Sequence, residues 1–283
     1  MSAFSNIELE KLPFPDVIEA LDIEQLVAQA ISEFRNLAPD YQAIVESDPA
    51  YKLLEQYQYR ELLLRQRIND ASKAVMLAYA KDADLDNLAA NIGVARLEGE
   101  TDERLRTRTV AALEAISTCG ATGSYVYWTL TASNDVKDVD VFSPEPSVVE
   151  VTVLSVENNG FPSDALLQIV DEQLSAEDKR PLTDEVVLKS PEITEYEIDA
   201  TLYFYNGPDP AVVKAESIKN ITEYVQKNHL LGHDIALSGI YAALHGAGVQ
   251  RIELHQPTDT IVVDRQQAAF CRGINVVSGG VDE

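Results

Sequence analysis

The side chains of this sequence best suited to metal binding or proton transfer near neutral pH are four histidines, His229, His233, His245 and His255. His229 and His233 stand four apart, the spacing that places two imidazoles on one helix face for zinc. Gly232 lies between them, however, and the glutamate of the H-E-x-x-H pattern is missing. A solvated helix end accounts for the pair. His245 and His255 have no cysteine or carboxylate at a ligand's spacing. Asp82, Asp84 and Asp86 begin like a calcium loop, but the sixth and twelfth positions, which need Gly and Glu, hold Asn87 and Gly93. A turn leading into a short helix closed by Gly93 fits them better. Cys119 and Cys271 are too distant in sequence to suggest a disulfide scaffold or a zinc site, and are expected as buried thiols. Ser124 follows Gly123 but lacks the second glycine of a nucleophile elbow. The glycines of GATG and GAG do not have phosphate-loop spacing. A triad assembled in space stays open, but no catalytic, cofactor-binding or metal-ligating residue is assigned.

The charge balance narrows the partners. Asp and Glu number 47 against 22 Lys and Arg, a formal net charge of −25. Such a chain repels nucleic-acid phosphates and anionic lipid surfaces. No apolar run reaches the ~18–20 residues that cross a bilayer, so direct membrane insertion is not expected. The opening MSAFSNIELEKLPFPD lacks the charged-then-apolar order of a signal peptide, so synthesis and assembly in the cytosol are expected.

With little chemistry to position, the elements themselves carry the information. The stretch from Pro49 to about Ala80 is the longest. Ala50, Leu54, Tyr57, Glu61, Leu64, Ile68, Ala71, Val75 and Ala78 recur at alternating spacings of four and three, with only Glu61 charged. This is a heptad seam, and a helix of about 30 residues would run roughly 45 Å. Leu54, Tyr57, Leu64, Ile68, Ala71 and Val75 are its candidate partner interface, and Glu61 is either a rim residue or a polar specificity element. Ser47-Asp48-Pro49 supplies its start. Before it, Leu12 to Pro15 form an extended lead-in and Asp16 to Asn36 a helix ended by Pro39.

After it, Thr101 to Ser117 reads as a helix with Leu105, Ala112 and Ile116 inward. A Cys119–Gly123 turn follows, then a helix capped by Ser124 that carries Tyr125, Tyr127 and Trp128, an aromatic cluster suited to a core. At Asn134 the period changes to alternating. VKDVDVF and VVEVTVLSV flank a proline turn as antiparallel strands. A helix with Leu166, Ile169, Val170 and Leu174 inward comes next, then a strand in RPLTDEVVLKSP. A second such order follows: the strand EYEIDATLYFYN, a helix to about Lys227, the short helix GIYAALH capped by Ser238, and strands in VQRIELHQP and TIVVD. The expected fold class is α+β, with an N-terminal long-helix region followed by two small α/β modules. The expected division is 1–93 helical, 94–133 helical connector, 134–192 first module and 193–283 second module.

The ordered set of segments resembles the baseplate J-like proteins of contractile phage tails and R-type bacteriocins. The resemblance runs through LPFPDVIEALDIEQL, ESDPAYKLLEQYQYRELLLRQRINDASKAVMLAYAKDADLDNLA, GATGSYVYWTLTAS, SAEDKRPLTDEV, ALSGIYAALHGAGVQRIELHQP and QAAFCRGINVVSGGVDE. It implies a non-enzymatic wedge subunit without a cofactor. Two copies would join one copy of a baseplate I-like protein through an N-terminal helix bundle. Wedges would close a sixfold ring around the hub, alongside the sheath initiator and neighbouring wedges, and rearrange when contraction is triggered. The chain departs from the family at Gly93–Asp102, which is compact where relatives can carry insertions. A tail-fibre attachment or receptor-binding protein is the alternative, and a baseplate-associated hydrolase a more distant one.

Overall fold

The structure is a computed structural model in which residues 12–13, 15–41, 44–115, 121–176, 179–181, 183–207 and 209–281 are described. Two compact units emerge from them. One holds the residues up to 96 together with 101–106, and the other holds 97–100 and the residues from 107 onward. Within the expectations above, Phe14, Ile116, Cys119 and the start of the Cys119–Gly123 turn lie outside the described residues.

In the first unit, α1 (Ile23–Leu37) packs on α2 (Pro49–Ala74). Asp22 caps α1 by accepting the Glu24 and Gln25 amides, so the helix starts later than Asp16. Val27 and Ala30 are its buried residues. Asp48 caps α2 through the Ala50 N–H at 2.8 Å, with Pro49 in the first turn, where its missing N–H costs nothing. The Asn69 side chain joins the preceding segment to α2. Its amide donates to the Glu19 carbonyl at 2.9 Å, and its oxygen accepts the Glu19 N–H at 3.1 Å.

α2 ends at Ala74, short of the expected Ala80, although no Gly or Pro demands it. The termination is tertiary. Arg106 donates to the carbonyls of Leu77 and Ala80, each at 2.7 Å, and Tyr79 Oη donates to the Leu12 carbonyl at 3.0 Å. These bonds occupy groups that a continuing helix would direct along its axis. α3 (Asp82–Ala90) then closes as expected: the Val94 N–H reaches the Ala89 carbonyl and the Gly93 N–H the Ala90 carbonyl, with Gly93 at φ +78°. Arg96 bonds Asp86 and Asp102, both at 2.7 Å, and fixes the loop after α3.

In the second unit, α4 (Asp102–Ala115, shared with the first unit) contributes the buried Arg108, Ala111 and Ala112. α5 (Thr122–Ala132) follows, with Tyr125 and Tyr127 buried. Ser124 is not its cap: Ala121 holds that position, and Ser124 is itself buried within the helix. The first sheet has the order β1-β2-β3, from Val136–Phe142, Val148–Ser155 and Glu185–Lys189. β1 and β2 pair antiparallel, as expected of strands flanking a proline turn. β2 and β3 pair parallel, because α6 (Asp164–Leu174) carries the chain back between them. Leu166, Val170 and Leu174 of α6 join Tyr125, Val141, Val151 and Val153 in one core. Ile169 was expected there too, but it is exposed.

The second sheet has the order β5-β4-β6, from Val249–Gln256, Glu192–Phe204 and Gln267–Val281. Ile198, Ala200, Leu202 and Phe204 alternate inward along β4, against α7 (Pro210–Asn228) and α8 (Leu237–Leu244). α8 begins after Ala236 with no side-chain cap, so Ser238 does not cap it. TIVVD forms no strand; it contributes an isolated bridge between Ile261 and Ile235. The third strand is β6, 15 residues along the parallel edge of β4. Its register skips Arg272 and Gly279, two bulges that let a glycine-rich stretch follow a long partner. At Gly279 a Cβ would come within 2.6 Å of the Tyr203 ring, so only glycine admits that ring over the strand. The fold is α+β, with helices first and strand-containing modules after them.

Candidate partner interface

α2 offers two faces of different character. On one face lie the buried Asn69 and the partly buried Leu54, Gln58, Glu61, Leu62 and Arg65. Arg65 bonds Glu61 at 2.6 Å and Glu19 at 3.1 Å. Glu61 therefore sits at the rim, turned to its own unit. On the other side Tyr57, Leu64, Ile68 and Val75 are 69%, 67%, 56% and 68% exposed, and Ala71 is exposed with them. Of the six seam residues, five thus share an open face, and Leu54 turns partly inward. Val75 lies just past the last helical residue, at the cap position. Leu53, 68% exposed and one turn before Tyr57, extends the same apolar face. The heptad count passed over it, although its spacing of four from Tyr57 is a helical signal. Arg60 and Arg67 border the stripe and make no ion pair among the described residues. Isolated exposed apolar residues are ordinary, but these form a contiguous row along one face of the helix.

The second unit contains a different focus, where its two α/β modules meet. Arg265 donates to both carboxylate oxygens of Asp140 at 2.8 and 2.9 Å, while its guanidinium lies over Phe142 at 4.3 Å. Asp138 accepts the Leu231 N–H at 2.9 Å, and Gln266 reaches Glu150 and Thr152. His229 is not the solvated helix end that its neighbourhood in sequence implies. It is only 7% exposed, with Nδ1 2.8 Å from the Ala269 carbonyl and its ring edge-on to Phe270. Its Nε2 is buried without a hydrogen-bond partner among the described residues and packs beside Gly160, where a Cβ would lie 3.0 Å away. His233, His245 and His255 are exposed. Cys271 is partly rather than fully buried.

Burial pushes the His229 imidazole below its usual pKa, the Ala269 bond opposes that shift, and Lys137 nearby adds to it. The unfolded chain therefore binds a proton more readily than the folded one. Stability contributed by neutral His229 is fully present above the ordinary histidine value of about 6.5 and is lost as pH falls below it toward the lower folded value. Thermal melting between pH 7.5 and 5.5 should show this loss in the wild type and a flatter profile in His229→Gln. Equal slopes for both proteins would place the titration elsewhere.

Comparison with known proteins now bears on the exposed helix and the two modules. Residues 46–101 match the family model of the baseplate J-like N-terminal domain, 117–190 that of the baseplate J-like central domain, and 196–277 that of the baseplate J-like protein C-terminal domain. The chain belongs to the baseplate J-like family. It is 43% identical to baseplate protein J of Escherichia phage P2, over 98% of this chain and 99% of that protein. Such a match identifies it as a structural component of a tail baseplate. Among solved structures it resembles a chain of the cryo-EM structure of the anti-feeding prophage baseplate, 6-fold symmetrised, with a TM-score of 0.44 at 15% identity. That likeness covers 63% of this chain and 43% of the other. No helix among the described residues is long and apolar enough to cross a membrane.

Proposed function

We propose that this baseplate J-like chain is a wedge subunit of a contractile tail, in a phage or an R-type bacteriocin. Two copies join one copy of a baseplate I-like protein, and the α2 stripe of Tyr57, Leu64, Ile68, Ala71 and Val75 is the seam of the shared bundle. Wedges so formed close a ring around the hub, contact the sheath initiator and neighbouring wedges, and rearrange when contraction is triggered. Subunits are made and assembled in the host cytoplasm before becoming part of the particle. The role is structural and needs no cofactor. The four segments 1–93, 94–133, 134–192 and 193–283 serve as its working parts, the first for bundling and the last two for contacts within the ring.

The observation that carries this reading is the row of large apolar side chains left open along α2. Water-exposed leucine, isoleucine, valine and tyrosine in one helical stripe gain stability only by being covered. Co-expression with a baseplate I-like protein from the same genome, followed by native mass measurement, tests it. A discrete complex of two copies with one partner is expected. A well-behaved monomer that ignores the partner would overturn the reading.

A further inference from the structure

Where the two α/β modules of the second unit meet, β1, the Asn158–Gly160 turn, α7 and β6 enclose a cleft of about 530 Å³. Lys137 and Arg272 both line it, together with Val156, Val225, Phe270 and Ile274. None of its lining residues is acidic, in a chain where acidic residues outnumber basic ones by 47 to 22. Arg272 is already shared with Glu195 at 3.4 Å. Lys137 is different: it is partly buried, yet its ammonium makes no hydrogen bond or ion pair among the described residues. Burial lowers its pKa, which Asp138 only partly offsets. A lysine whose stem is partly buried, lining a cleft with no carboxylate on its walls, holds its charge ready for a counter-charge from outside.

We propose that this cleft receives an acidic, partly apolar peptide segment from another chain of the assembly, with one of its carboxylates set against Lys137. Charge argues for the carboxylate. Size and lining argue for a peptide rather than a small inorganic anion, which would leave Val156, Val225, Phe270 and Ile274 uncovered in a space many times the ~30 Å³ of a water molecule. Backbone argues the same way. β6 is an edge strand, and beyond the isolated Leu231–Ala268 bridge its outer side pairs with no strand among the described residues. Main-chain groups near Gly273 and Ile274 thus border the cleft on an open edge, where an extended segment can add. The proposal rests on the wedge reading only for the source of the segment.

Binding of a fluorescein-labelled Leu-Glu-Leu-Glu-Leu-Glu hexapeptide to the full chain, read by anisotropy, tests it against the Leu-Gln-Leu-Gln-Leu-Gln counterpart. The glutamate peptide should bind at least about tenfold more tightly, a preference equal to one counter-charge. That preference should vanish in Lys137→Gln and in Lys137→Met, and persist in Lys81→Gln at an exposed position of the other unit. Inorganic phosphate should displace the peptide only weakly. Equal binding of the two peptides, an unchanged preference in the Lys137 variants, or full displacement by phosphate at concentrations where it saturates a small-anion site would each overturn the proposal. Circular dichroism on the variants checks that they are folded. The assay needs no I-like protein, so a negative result beside an intact mixed complex overturns the cleft and leaves the wedge standing.

Discussion

Arg108→Met is expected to be among the most destabilising single substitutions in this chain, at about 3–5 kcal/mol. The Arg108 and Glu100 side chains are 1% and 0% exposed and bond through Nε–Oε1 at 2.7 Å. A second guanidinium nitrogen reaches Glu100 Oε2 at 3.0 Å, and a third donates to Thr131 Oγ1 at 3.0 Å. Glu100 Oε2 also accepts the Leu97 N–H at 2.9 Å. Removing the arginine leaves a carboxylate in the interior without its bidentate cation. The double variant Glu100→Leu with Arg108→Met should recover much of the loss, since both charges then disappear. Its residual deficit should be about 1–3 kcal/mol, the cost of stranding the Leu97 amide and the Thr131 hydroxyl. Urea denaturation of the three proteins measures all of this. A single variant within about 0.5 kcal/mol of wild type, as for an ordinary surface change, would mean that the pair is solvated.

This pair also marks where sequence reading runs out. Arg104, Arg106 and Arg108 look alike in sequence, on the early turns of one helix. Their fates differ because of residues outside the helix. Arg106 holds the carbonyls of Leu77 and Ala80, while Arg108 is enclosed with Glu100 and Thr131. By contrast, the α+β class, the antiparallel β1–β2 pair and the inward row of β4 follow from local period and turn residues. Those signals are carried by consecutive side chains and need no tertiary partner to be legible. β6 escaped because Gly273, Gly279 and Gly280 read as breaks, whereas here the bulges opposite β4 absorb them. The end of α2 escaped for the converse reason: its sequence permits more helix, and side chains from elsewhere stop it.

The candidate interface was legible because its signal is a period. Tyr57, Leu64, Ile68, Ala71 and Val75 lie on the open face that the four-and-three spacing groups together. The period could not say which flank of the stripe is partly covered within its own unit. Leu54 and Glu61 lie on that flank, and Leu53 takes the place on the open side. His229 was misread because burial of a histidine after a helix depends on Phe270, Ala269 and Gly160, none of them near it in sequence.

Leu64→Asp and Ile68→Asp separate folding from assembly. Both residues are more than half exposed in the single chain, so each variant should unfold within about 0.5 kcal/mol of wild type. In the proposed bundle the same positions are covered, and an introduced carboxylate would be buried without a cation. That costs several kcal/mol, and since each 1.4 kcal/mol is about tenfold in affinity, the mixed complex should weaken by at least about a hundredfold. Val262→Asp, at a residue 72% exposed on the other unit, should assemble normally and serve as the control. Glu61→Gln should matter little, because Arg65 already neutralises that carboxylate at the rim and retains Glu19. Sedimentation of each variant with the I-like protein distinguishes the outcomes. If both aspartate variants assemble like wild type, the seam lies on another surface. If Glu61→Gln alone changes which chains pair, the rim residue is instead the element that sets partner choice, through a charge that the wrong partner cannot match.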